Sequence, residues 1–218
     1  MPNFLSNFDI YHVLIILPGI IIALTVHEAA HAGMAALLGD HTAKDQGRLT
    51  FNPLAHIDWL GLLFIVLVGF GWAKPVTFDD RNLKKPDRDV RLIAAAGPIS
   101  NLLLAILGTM IYAWFVHTFG QETSGFLNSI GAMLLSLVFI NWGLFVFNLI
   151  PIPPLDGSHL AFYGLRHKPE IYYPLYRYGS FALLGIMLIQ SWTGIPILPI
   201  AQAINFLAGA VFGWFGLI

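Results

Sequence analysis

Thr25-Val26-His27-Glu28-Ala29-Ala30-His31 is the stretch on which the reading of the whole chain turns. His27 and His31 are four positions apart, and on a helix such residues share one face about a turn apart. Two imidazoles so placed grip one metal ion, and Glu28 beside them reaches a metal-bound water as a general base. The surroundings are apolar. No Asp, Glu, Lys or Arg occurs from Ile10 to Val26, and Ala32-Gly33-Met34-Ala35-Ala36-Leu37-Leu38 is again uncharged. As a helix, Ile10 to Leu38 is roughly 43 Å long, enough to cross a bilayer. An ionisable side chain at mid-span costs at least about 2.5–3.5 kcal/mol, so a Glu and two His there point to a functional site. The plainer alternative, a polar trio hydrogen-bonded inside a helix bundle, requires a partner for each of the three groups.

The rest of the composition agrees with a membrane setting. Of 218 residues, 57% are hydrophobic and only 11% charged, whereas a soluble domain carries about a quarter charged residues. The net charge of -1 says nothing about nucleic acid, but there is no basic stripe, and no nucleic-acid partner is expected. With no cysteine there is no disulfide, thiolate metal site or catalytic thiol. The N-terminus lacks the positive region of a secretory signal. No long polar segment or internal repeat stands out. A single membrane-embedded domain over 1–218 is expected, with a core over 10–160 and two C-terminal apolar segments within 178–218.

The chain reads as an all-α polytopic membrane protein with about five spanning helices and one short re-entrant segment. The spans are expected at about 10–38, 92–117, 126–148, 178–192 and 196–218. Trp59 to Trp72 is apolar but shorter than the roughly 20 residues of a simple crossing, so it reads as a re-entrant segment or a half-crossing helix buried against others. Gly39-Asp40 ends the first helix, glycine being the usual residue just past a helix end. Arg48-Leu49-Thr50-Phe51 alternates and suggests a small β element, a free edge that an extended peptide can join. Lys74 to Arg91 reads as a solvated interfacial loop. Pro151, Pro153 and Pro154 stop the third span and stiffen the approach to Asp156.

Orientation follows from the positive residues. The loops 40–58, 73–91 and 158–177 hold every Lys and Arg, and the turns near 120 and 194 hold none. The positive loops are therefore expected on the cytoplasmic side, with residues 59–72 entering and leaving there. His31 lies seven residues from the cytoplasmic end of its helix, roughly 10 Å, and Asp156 lies at the cytoplasmic end of its own segment. Both arrive at a similar depth. A catalytic zinc site takes three protein ligands and keeps one position open, and carboxylates within reach of the membrane are scarce. Asp156 is the candidate third ligand; a turn-capping Asp is its plainer reading.

Three motifs, in order and spacing, resemble the site-2 protease family, the intramembrane zinc metalloproteases of peptidase family M50. They are His27-Glu28-Ala29-Ala30-His31, Ala96-Gly97-Pro98-Ile99-Ser100-Asn101, and Asn148-Leu149-Ile150-Pro151-Ile152-Pro153-Pro154-Leu155-Asp156-Gly157. The resemblance implies His27, His31 and Asp156 as ligands of one Zn2+ per chain and Glu28 as catalytic base. It also implies that Asn148 and Asn101 help hold substrate or the oxyanion. The stretches 47–58 and 71–76 resemble a minimal bacterial or archaeal subgroup without PDZ or CBS domains, which leaves room for a separate regulatory partner. The implied substrate is a transmembrane protein, and the implied setting is the lipid of a prokaryotic cell membrane, with the active site near the cytoplasmic face. Oligomeric state, natural substrate and substrate gate are not legible.

Two rivals belong to other classes. A membrane di-iron enzyme needs several His clusters, whereas the eight His here are scattered, with one close pair. A non-proteolytic membrane protein with a metal site, either a pseudo-protease or a transporter-like binding protein, has no use for an intact Glu28 and would more naturally show paired repeats. His56 reads as a solvent-facing loop residue rather than a substrate-side group.

Overall fold

A computed structural model describes residues 9–68, 71–121 and 124–217. Residues 1–8 of the N-terminus, 69–70 of the expected re-entrant segment and 122–123 of the turn near 120 lie outside the described residues. Three helices are long and apolar enough to cross a membrane: α1 (Ile10–Leu38), α4 (Pro86–Phe119) and α5 (Gly125–Asn148). They pack on one another and form the centre of the molecule. Between α1 and α4 come the single turn α2 (Thr42–Asp45) and α3 (Trp59–Val68). After α5 come the short α6 (Asp156–Phe162), then α7 (Pro169–Thr193) and α8 (Ile200–Trp214). Helix α6 lies against α4, and α8 lies against α5 and α4. One apolar cluster joins Ala105, Val138, Trp142, Ala208 and Val211, which ties α8 to the central pair.

Local chemistry explains the ends of these helices. Gly39 terminates α1 in the left-handed region, at φ 108°, and its N–H reaches the Ala35 and Ala36 carbonyls. Helix α4 starts at Pro86, earlier than the expected Leu92, so part of the charged stretch is helical. Proline is preorganised for the first helical position, and Asp87 and Asp89 complement the positive end of the helix dipole. Asp89 also accepts from the Lys85 N–H at 2.9 Å.

Two expectations change. Among the described residues there is no strand, and Arg48–Phe51 is irregular, with a bend at Leu49 and Thr50. The reason is Arg48: its buried guanidinium donates to backbone carbonyls instead of lying along a strand face. Of five expected spans, three meet the length and apolarity of a crossing among the described residues. Helix α7 begins at Pro169 and takes in Glu170 and Arg177, and α8 has only 15 residues. The outward-facing apolar residues, among them Leu103, Trp114, Phe181 and Phe206, are what lipid contact requires of an integral membrane protein.

Candidate metal centre

Helix α1 delivers His27 and His31 to one side, and α6 brings Asp156 up to meet them. His27 Nε2 and His31 Nε2 are 3.0 Å apart. Asp156 Oδ2 lies 3.2 Å from the first and 3.4 Å from the second. These three separations are close to the ~3.3 Å edge of a tetrahedron with metal–ligand bonds of ~2.0–2.1 Å. Both histidines are buried, each less than a tenth exposed.

The far side of each ring fixes its proton. Asn101 Nδ2 donates to Asn141 Oδ1 at 2.9 Å and to the Ala23 carbonyl at 3.2 Å. That leaves Asn101 Oδ1 to accept from His27 Nδ1–H, at 2.6 Å. His31 Nδ1–H donates to the Ile93 carbonyl at 2.7 Å. Each proton is thus on Nδ1, and each Nε2 presents a lone pair. Two lone pairs and a carboxylate oxygen converge, and Asp156 Oδ2 is buried without a hydrogen-bond donor. Such a convergence is relieved by a metal cation held between the three atoms, or by a proton on one Nε2. The donor set fits a zinc ion: two imidazole nitrogens, one carboxylate and a position left for water.

Close approach of α4 makes this possible. A Cβ on Gly97 would lie 2.6 Å from both Cε1 and Nε2 of His27, and closer still to His31 Nε2. Gly97, within the second of the three motifs, therefore packs against the imidazoles themselves. Glu28, adjacent to His27, is also buried, and its Oε2 accepts from the Val76 N–H at 3.0 Å.

The remaining named residues fall elsewhere. Both polar ends of Asn101 are engaged by His27, Asn141 and Ala23, so it backs the metal site. Asn148 Nδ2 donates to the Leu144 carbonyl of its own helix at 3.1 Å. His56, expected to face solvent, is fully buried, and its Nε2–H donates to the Thr50 carbonyl at 2.8 Å. Asn141, Gly97 and Asp40 join the surroundings of the site without a place among the residues expected from the sequence. Asn141 carried a signal, being a lone amide within an apolar span. Asp40 is buried just past α1 and accepts from the Thr42 hydroxyl, Asn82 Nδ2 and the Asp79 N–H. Burial pushes its carboxyl up, but these hydrogen bonds outweigh that and hold it below the usual carboxylate range.

Replacing Asn101 by Ala removes the acceptor that fixes the His27 tautomer. A loss of about 10–100-fold in zinc affinity is expected, read by competition with a chelator, with the helices retained.

A family profile, described as peptidase family M50, matches residues 15–186. The candidate zinc metalloprotease YwhC of Bacillus subtilis (strain 168) is 42% identical over 156 residues, covering 69% of this chain and 71% of that protein. The candidate zinc metalloprotease Rip2 of Mycobacterium tuberculosis (strain H37Rv) is 28% identical over 208 residues, covering 92% of this chain and 69% of that protein. Rip2 of Mycolicibacterium smegmatis is 30% identical over 152 residues, covering 66% of this chain and 54% of that protein. No solved structure matches.

Proposed function

Since the chain belongs to peptidase family M50 and is a membrane metalloprotease by that membership, we propose that it is an intramembrane zinc endopeptidase of the site-2 type. It hydrolyses peptide bonds within or beside transmembrane segments of membrane proteins. The observation that carries this reading is the convergence of two Nε2 lone pairs and an orphaned carboxylate oxygen, beside a buried glutamate. His27, His31 and Asp156 hold the zinc, which when bound supplies Lewis acidity, making water nucleophilic near neutral pH and polarising the scissile carbonyl.

The chain's own residues do the rest. Glu28 takes the proton from the attacking water and passes it to the leaving amine. Asn101 and the Ile93 carbonyl keep both imidazole protons on Nδ1, so that Nε2 stays available. The apolar surroundings exclude competing water and strengthen each of these electrostatic contacts. The active site works near the cytoplasmic face, where the positive loops lie. Helix α3 dips into the membrane from that side. The substrate helix must unwind locally to expose a peptide bond.

The test is cleavage of a membrane-helix substrate in detergent by the parent and by Asp156→Ala, with bound zinc measured in both. The parent is expected to hold about one zinc and to cut, and Asp156→Ala is expected to lose both. An Asp156→Ala protein with the parent's zinc content and rate overturns the ligand assignment.

A further inference from the structure

The stretches 47–58 and 71–76 stand out in the sequence, and the metal site makes no use of them. In the structure they form one unit that ends on Glu28. Arg48 is buried, and its guanidinium donates to the carbonyls of Ala55, Lys74 and, at 3.0 Å, Pro75. The Lys74 N–H donates to the His56 carbonyl at 2.8 Å, and the buried His56 ring holds Thr50. Further along, Asp40 accepts from the Asp79 N–H at 3.0 Å. The Thr77 hydroxyl donates to Gln46 Oε1 at 2.8 Å. Between the Arg48 and Asp40 anchors, residues 74–79 run with neither helix nor strand. In the middle of that run the Val76 N–H meets Glu28 Oε2.

This is a costly arrangement for a loop whose only task is to connect. A buried guanidinium gives up its hydration and here spends its donors on main-chain oxygens. What it secures is the placing of the next residue's amide. We propose that residues 74–79 are a strap whose Val76 amide fixes the Glu28 carboxylate in its working orientation. In this arrangement Arg48 is a positioning residue that holds the strap. The proposal rests on Glu28 being the catalytic base, as argued above. A glutamate has three rotatable side-chain bonds, and an N–H bonded to one carboxyl oxygen removes most of that freedom. Fixing a catalytic group beforehand lowers the barrier and leaves substrate binding alone, so the effect belongs in kcat.

The experiment compares Val76→Pro with Val76→Ala in the full chain, zinc-loaded, on a membrane-helix substrate. Both lose the valine side chain, and only proline lacks the N–H. The expected kcat of Val76→Pro is about tenfold to a hundredfold below that of Val76→Ala, with KM and zinc content alike. Arg48→Met is expected to lower kcat in the same way, and Arg48→Lys, which keeps a donor, to recover part of it. A second readout needs no turnover: hydrogen–deuterium exchange of peptides covering 73–79 is expected to rise in Glu28→Ala, because the acceptor of the Val76 N–H is gone. Equal kcat for Val76→Pro and Val76→Ala, with Glu28→Gln inactive, overturns the strap and leaves the protease reading intact. Unchanged exchange in Glu28→Ala also overturns the strap, even if Val76→Pro does not fold. Parent-like turnover by Glu28→Gln overturns the protease reading itself.

Discussion

Glu28→Gln is expected to cut a membrane-helix substrate about 10²- to 10⁴-fold more slowly than the parent, while still binding about one zinc per chain. In free energy that is about 3–5.5 kcal/mol of transition-state stabilisation. The substitution is nearly isosteric, and the amide oxygen of Gln can still accept from the Val76 N–H. His27, His31 and Asp156 are untouched, so the metal has no reason to leave. What disappears is the capacity to take a proton from water and hand it on. Initial rates together with metal content separate the two effects. A variant that has lost both zinc and activity would place Glu28 among the groups that hold the metal, and one that cuts like the parent would remove it from the chemistry.

Gly97→Ala has the second large effect, and it comes from a residue that performs no chemistry. The added methyl would lie within 2.6 Å of His27 and nearer still to His31 Nε2. Nothing at that point can give cheaply. The imidazoles are held from behind by Asn101 and by the Ile93 carbonyl. Either α4 retreats or the rings turn away, and both movements break the convergence of ligand atoms. Zinc affinity is expected to fall by at least about a hundredfold, with activity following it, for an overpacking cost to the fold of only about 1–3 kcal/mol. Chelator competition reads the first quantity and thermal unfolding in detergent the second. Parent-like zinc affinity in Gly97→Ala would mean that α4 does not press on the site as described.

The sequence and the structure agree best where chemistry and depth constrain a residue together. His27 and His31 declare themselves by an i, i+4 spacing inside an apolar run. Asp156 is reached independently, because the positive loops place the end of its segment at the same depth as His31. Legibility weakens where main-chain atoms are the partners. That His31 leans on the Ile93 carbonyl, or Glu28 on the Val76 amide, has no side-chain signature. The alternation at Arg48–Phe51 misleads because a four-residue pattern fits a turn as well as a strand, and Arg48 is spent on carbonyls. The start of α4 is readable: Pro86 followed by Asp87 and Asp89 is a helix N-terminus, but the density of charge there points to a loop. A polar loop usually faces solvent, which hides the burial of His56; here it is the packed post behind the strap.

The account depends on His27, His31 and Asp156 sharing one metal ion. The X-ray absorption spectrum of the purified, zinc-loaded protein in detergent tests this most directly. The predicted result is about one zinc per chain with two imidazoles and oxygen ligands in its coordination shell, and one imidazole fewer in His31→Ala. A protein that takes up no zinc, or a zinc shell without histidine that His31→Ala leaves unchanged, would contradict it.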